Sequence, residues 1–269
     1  MNRISLGLSL LLLAALGGSG IGCEDKPAAP LAPTASALAP TKPATAEAKK
    51  LSIDKASSKV EFMMDAPQEK IRGRVSGATE GEISVDPSDL TKTTGLLTVD
   101  ISGIELFQTV ADDSGKFGEE KKHDTQNEHA RTWLEISNDA PEDVRKKNSR
   151  VEFAIRSIDE VSQKDVTKMT GPTRKVTLKA KGDFLLHGRK TEKVADLEAT
   201  FTYDGDKLAS VAVKTAKPFA VGLAEHDVRP REAFGKLAQK TLEILAPKVA
   251  QEAMVSIEIT AKPVEAGKP

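Results

Sequence analysis

The sequence predicts an all-β fold: an antiparallel barrel of about eight strands carrying one or two short helices. Three observations carry this expectation. Six stretches alternate apolar and polar residues with a period of two, the signature of strands with one buried and one wet face. The pair Asp204–Gly205 sits between two such stretches as a tight hairpin turn would. Only Glu119–Ile136 and Arg231–Ala246 read as helices. A barrel or a sandwich fits such strands, and the barrel is preferred because closure removes exposed strand edges.

The chain opens with Arg3 and an apolar run from Ile4 to Leu16. That run is shorter than the roughly 20 residues that cross a bilayer as a helix, so residues 1–22 are expected to be a removable export signal. The only cysteine, Cys23, follows Gly20-Ile21-Gly22. Small residues directly before a cysteine resemble a bacterial lipobox, although Gly20 stands where that motif usually has Leu. Cys23 is therefore the expected lipidation site and membrane tether, with ordinary signal cleavage nearby as the alternative. Each acyl methylene adds about 0.8 kcal/mol, so two or three chains would hold the protein stably.

Residues 23–50 then read as the lipidated cysteine followed by a disordered linker. Pro and Ala fill more than half of Lys26–Lys50, which has no aromatic side chain. Such a tract buries too little to offset its ordering and favours an extended, semi-rigid spacer. From Leu51 the composition becomes that of a folded domain, expected over residues 51–264 with a tail at 265–269.

Within the domain, Val60, Phe62 and Met64 alternate with polar or exposed positions, as do Leu97 and Val99, then Val151, Phe153 and Ile155. Val176, Leu178 and Ala180 run on through Phe184 and Leu186. Leu197, Ala199, Phe201 and Tyr203 follow, then Val255, Ile257 and Ile259. Weaker candidates lie at residues 70–75, 81–85 and 208–223. One register set, Phe62, Met64, Leu97, Val99, Phe153, Ile155, Phe184, Leu186, Phe201 and Tyr203, is expected to line the interior. Trp133 would close one end, or serve as core. The helices at Glu119–Ile136 and Arg231–Ala246 would plug or cover the barrel core, or one of them would form a lid over an internal cavity.

Charge is balanced, 39 Lys and Arg against 40 Asp and Glu, which argues against a nucleic-acid partner. The sequence has no G-x-S-x-G elbow, Walker A loop or complete G-x-G-x-x-G. His123 and His129 are six apart, so a helix points them to different sides. His187 reads as a turn residue bonded to the turn backbone, and His226-Asp227 as a charged loop. No catalytic residue, metal site or cofactor is expected, and the protein is read as no enzyme. Rivals are an enzyme using His226 and Asp227, or a metal at His123.

With aromatics at only 4%, the inward positions are medium aliphatic residues. A barrel of about eight strands is either filled by side chains or just wide enough for one small ligand, and periodicity fits both.

The order of segments resembles the YceI-like family of exported bacterial proteins. "LSIDKASSKVEF" is similar to its opening strand, "GLLTVDISGIE" to its central strand, and "HDTQNEHARTWLEI" to the helix that follows. "RVEFAIRSI" and "GDFLLHGRKTEKVADLEATF" match the next strands, with Gly182, Asp183, Phe184, His187 and Gly188 in the positions of a G-D-L-x-x-H-G run. "AVGLAEHDVRPREAFG" replaces the family's usual ending. The resemblance implies a lipocalin-like barrel enclosing a polyisoprenoid chain without catalysis. The expected function is binding or transport of an isoprenoid or quinone-like lipid by a lipoprotein of the periplasm or cell envelope. A packed barrel that binds a protein through its loops is the alternative.

Overall fold

The structure, a computed structural model, describes residues 30–66, 69–229 and 250–264. In chain order its first strands are β1 (Lys49–Ile53), β2 (Lys59–Asp65), β3 (Glu69–Ser76), β4 (Thr79–Val85), β5 (Thr94–Asp100), β6 (Glu105–Val110) and β7 (Lys121–Lys122). Helices α1 (Asp124–Trp133) and α2 (Glu142–Asn148) come next. They are followed by β8 (Arg150–Asp159), β9 (Thr173–Leu186), β10 (Arg189–Asp204), β11 (Lys207–Thr215), β12 (Phe219–Gly222) and β13 (Glu252–Pro263).

Eight strands, in the order β1-β4-β5-β8-β9-β10-β11-β13, form a ring of antiparallel pairs. It closes where β1 meets β13, with Ser52 opposite Lys262. The expected antiparallel barrel is what the chain forms. The weak candidate at 208–223 resolves into two strands, β11 and β12. Among the described residues no helix is long and apolar enough to cross a membrane.

Three neighbouring strands break at one level. A turn at Lys55–Ser57 separates β1 from β2, residues 77–78 separate β3 from β4, and residues 101–104 separate β5 from β6. Backbone bonds tie the breaks together: Gly77 N–H donates to the Ser58 carbonyl at 3.3 Å, and Asp100 N–H to the Ala78 carbonyl at 3.0 Å. Past this level β2, β3 and β6 pair as an extension of the wall, attached through β13. Gly73 lies opposite Phe62 here, and a Cβ on it would fall 2.0 Å from the Phe62 ring. Glycine lets that ring lie flat across β3.

The β9–β10 hairpin pairs Leu178 with Leu197 and Val176 with Ala199. Its two-residue turn, His187–Gly188, has φ of +50° and +67°, the left-handed pair a tight hairpin requires. The turn expected at Asp204–Gly205 lies one residue later, because Asp204 still belongs to β10 and Gly205 takes the positive φ of +57°.

Two turns of nearly the same sequence plug one end of the barrel. In Asp89-Leu90-Thr91-Lys92 and Asp165-Val166-Thr167-Lys168, the aspartate accepts from the backbone N–H and the hydroxyl of the threonine two residues on. Each aspartate thereby caps a single helical turn. The turns also hold each other: Leu90 N–H donates to the Lys164 carbonyl and Val166 N–H to the Pro87 carbonyl, both at 2.9 Å. Leu90 and Val166 end 1% and 0% exposed.

The helix expected over Glu119–Ile136 is shorter, because residues 121–122 first pair with β6 as β7. Asn127 pins α1 to the wall by accepting from the Leu106 N–H at 2.8 Å and donating to the Leu106 carbonyl at 3.2 Å. The helix expected at Arg231–Ala246 lies outside the described residues, as does Cys23.

The expectation of a free spacer over Lys26–Lys50 is corrected over residues 32–45, which strap the outside of the barrel. Ala32 N–H donates to the Glu225 carbonyl at 2.9 Å, Ala35 N–H to the Gly188 carbonyl at 2.9 Å, and Lys190 N–H to the Pro33 carbonyl at 2.8 Å. Leu38, 5% exposed, packs on Ala154 and Leu185 while its N–H donates to Glu152 Oε2 at 2.5 Å. Further on, the Lys42 carbonyl accepts from the Thr94 hydroxyl, and Thr45 donates to Asp86. The physical reason lies on the barrel: the outward residues Ala154 and Leu185 are apolar, and one leucine suffices to seal them.

Candidate functional site

The inner wall encloses a cavity of about 240 Å³, counted as space open to the centre of a water molecule. A single water needs only about 10–15 Å³ on that measure, so this is no packing defect. Phe62 and Met64 of β2, Leu97 and Val99 of β5, and Phe153 and Ile155 of β8 face it. Phe184 and Leu186 of β9, Phe201 of β10 and Trp133 of α1 complete the expected set. Among the described residues, Thr79, Thr93 and Glu152 are the only polar ones in its lining. Most of their neighbours in the lining are medium aliphatic side chains.

Tyr203 is the exception and is corrected: it does not line the cavity. The β10–β11 register shifts between Thr202 and Tyr203, next to the plugged end. There the Arg174 guanidinium lies 3.8 Å from the centre of the Tyr203 ring and donates to the Val166 carbonyl at 2.9 Å. The ring belongs to the plug.

Exposure grades along the lumen. Phe201, near the plug, is 2% exposed, whereas Phe62, Met64 and Trp133 at the far end are half-buried. A second recess of about 60 Å³ shares Met64, Leu106, Ala130 and Trp133 with the main cavity. Its lining adds the half-buried polar residues Glu69, Gln126 and His129, so the apolar wall gives way to polar surface beside α1. His129 stacks parallel on Trp133, ring centres 6.5 Å apart. This is the mouth.

Among the described residues no unpaired charge faces the lumen. The Glu152 carboxylate is taken by the Leu38 N–H and Arg150. His226, read from the sequence as part of a charged loop, is instead 0% exposed, packed edge-on to Phe184 with ring centres 5.5 Å apart. Its Nδ1 lies 3.2 Å from the carbonyls of both Leu186 and Arg189, and its Nε2 3.2 Å from the Thr191 hydroxyl. Burial, chiefly, pushes its pKa below the ordinary histidine value, which keeps the ring neutral. His187 also departs from its expected role: Nδ1 meets the His226 carbonyl at 3.1 Å, and Nε2 the Glu135 carboxylate at 2.9 Å. The two histidines brace the region where the short helical turn Ala224–His226 meets the β9–β10 hairpin. Among the described residues no three His, Cys, Asp or Glu side chains cluster as metal ligands.

Sequence reasoning missed Thr79, the Leu90–Val166 plug and the Leu38 strap. The paired D-L-T-K and D-V-T-K runs are a signal for the plug. Apolar residues on both faces of β8 and β9 are a signal for the strap.

No family model matches the chain, and no curated protein matches it. Solved structures with a similar fold do exist. One is a polyisoprenoid binding domain from Saccharophagus degradans implicated in plant cell wall breakdown, with 12% identity, 80% of this chain and 98% of that one covered, and a TM-score of 0.47. Burkholderia cenocepacia BcnA has 14% identity over 78% and 99% of the two chains, at a TM-score of 0.46. The Campylobacter jejuni YCEI protein has 13% identity over 70% and 82%, at a TM-score of 0.42.

Proposed function

We propose that this protein binds a long apolar molecule inside its barrel, with an isoprenoid or quinone tail as first choice, and performs no catalysis. The cavity is the observation that supports the reading. An unfilled apolar space of this size costs on the order of 5 kcal/mol, taking about 24 cal/mol per Å³. An apolar chain that fills it recovers that cost and adds roughly 25 cal/mol per Å² of its own buried surface. Neither gain needs a polar partner, which suits a wall with almost none. The choice of an isoprenoid follows the resemblance of the segment order to the YceI-like family.

The same proposal places the protein in the periplasm or cell envelope of a bacterium, tethered by acylated Cys23. A solid barrel that binds a protein through its loops has no use for this space. The test is to produce the full chain in a bacterial periplasm, purify it gently, extract it with organic solvent and weigh the extract by mass spectrometry. A stoichiometric isoprenoid-like lipid is expected, along with a diacyl or triacyl mass on the N-terminal peptide. An empty barrel that also refuses added C20 isoprenoids would return the protein to the loop-binding alternative.

A further inference from the structure

The wall of the lumen is not laddered all the way round. Over residues 189–195, β10 pairs with β9 on one edge. On its other edge, pairing with β11 begins only at Leu197, just beyond a bond from the Ala216 N–H to the Asp196 carbonyl at 2.8 Å. The next strand round the wall, β12, pairs with β13 and not with β10. Among the described residues no strand bonds to this edge of β10 between Thr191 and Ala195, which leaves a seam between β10 and β12. Side chains close it from within. The alternation that turns Ala195, Leu197 and Ala199 to the lumen turns Thr191 and Lys193 inward as well. Lys193 Nζ donates to Glu225 Oε1 at 2.6 Å, and the same oxygen accepts from the Gly222 N–H of β12 at 3.3 Å. One carboxylate thus clasps both banks, and His226 adds its contact with the Thr191 hydroxyl. From outside, the strap lies across the join. Ala32 donates to the Glu225 carbonyl, and its own carbonyl accepts from the Arg189 guanidinium at 3.1 Å. Pro33 and Ala35 bond to Lys190 and Gly188 on the β10 side.

We propose that this seam is a side portal, opened by release of the Glu225 clasp and the Ala32 latch, through which a long apolar molecule enters and leaves the lumen. Parting two laddered strands would leave a row of backbone donors and acceptors unmet. Parting β10 from β12 breaks one ion pair and a few single bonds, whose groups can turn to water. The seam runs from the His187–Gly188 turn down to Asp196, so a chain can slip in along its length instead of threading end-on past α1. The inference rests on the apolar-ligand reading above and adds the route of entry and what holds it shut.

Trp133, the only tryptophan, lines the lumen and supplies the signal. Stopped-flow fluorescence of the full chain would follow geranylgeraniol binding and release in wild type, Glu225→Gln and Ala32→Pro, which weaken the clasp and remove the latch's N–H. Both closures hold the empty and the filled barrel alike, so their loss lowers the barrier in both directions. Association and dissociation rates are each expected to rise about fivefold, the worth of one net hydrogen bond, with Kd unchanged. Lys181→Met is the control. It removes the exposed Lys181–Glu192 pair on the outer face of the laddered β9–β10 strands, and both rates are expected to hold. Should Glu225→Gln not fold, Ala32→Pro carries the same expectation. Unchanged rates, a rise in dissociation alone, or an equal rise in Lys181→Met overturns the portal and leaves the apolar-ligand reading standing. Failure of wild type to bind the probe overturns both.

Discussion

On the inside of the β8–β9 wall, Phe153, Phe184 and Leu186 face a space that their neighbours leave unfilled. On the outside of the same two strands, Ala154 and Leu185 are sealed beneath Leu38. The two faces are built from the same alternating strands, and the difference lies in what is free to approach them. The radius inside is set by backbone pairing around the ring, so medium side chains cannot close it however favourable contact would be. The outer face is open to any segment with slack, and a Pro/Ala tract with Leu38 and a waiting carboxylate is enough. An apolar surface left hollow by geometry is a site, whereas one left exposed by sequence is a place to dock chain.

Packing differences offer the largest test. Leu90→Ala, where the plug closes the cavity, is expected to cost about 4 kcal/mol, and Leu97→Ala, farther along the same lumen, about 2 kcal/mol, read by urea denaturation. Equal losses would mean that the lumen wall is as tightly packed as the plug. Next comes Ala180→Phe, which puts a ring into the lumen from a fully buried position. Affinity for an apolar probe is expected to fall about a hundredfold while the melting temperature holds or rises. A filled barrel would instead lose about 1–3 kcal/mol to overpacking.

On the outer face, Leu38→Ala is expected to cost about 2 kcal/mol. Hydrogen exchange should then speed up at Ala32, Ala35 and Leu38 but not in β10, and ligand affinity should stay unchanged. Exchange rates unaltered by the substitution would show that backbone bonds alone hold the strap.

The smallest effect is on pH. His226 has a folded pKa depressed below its unfolded value of about 6.5, so the unfolded chain binds the proton more readily. Its contribution to stability is present above that value and is lost as pH falls below it, down to the folded pKa. Glu225 is also depressed, mainly by Lys193 working against burial, and its contribution is lost at lower pH, below the ordinary glutamate range. His226→Gln should flatten the upper step and leave the lower one. Denaturation midpoints from about pH 2 to about pH 8 would check it, and a surviving upper step would assign it elsewhere.

The strand faces were legible because alternation carries through closure: Phe62, Leu97, Phe153, Phe184 and Phe201 reach the lumen from strands far apart in sequence. Tyr203 breaks the rule because a local register shift hands it to the plug, and alternation holds no information about where a barrel is already full. Whether the inside was hollow was not legible, since that depends on ring size rather than on residue type. The burial of His226 was hidden for a different reason. A single short turn tucks it under Phe184, and a turn that short has no period to read.

The strap also sets a distance. Its first fixed point, Ala32, is bonded to Glu225 beside the His187–Gly188 turn, at the mouth end of the barrel rather than the plugged end. Nine chain steps lead from Cys23 to Ala32, a leash of at most about 32 Å at full extension. The whole tract to Leu51, running free, would have allowed roughly three times that reach. Were Cys23 acylated as proposed, that leash would keep the barrel beside the bilayer, close enough for a long chain to pass from lipid to protein without a journey through water.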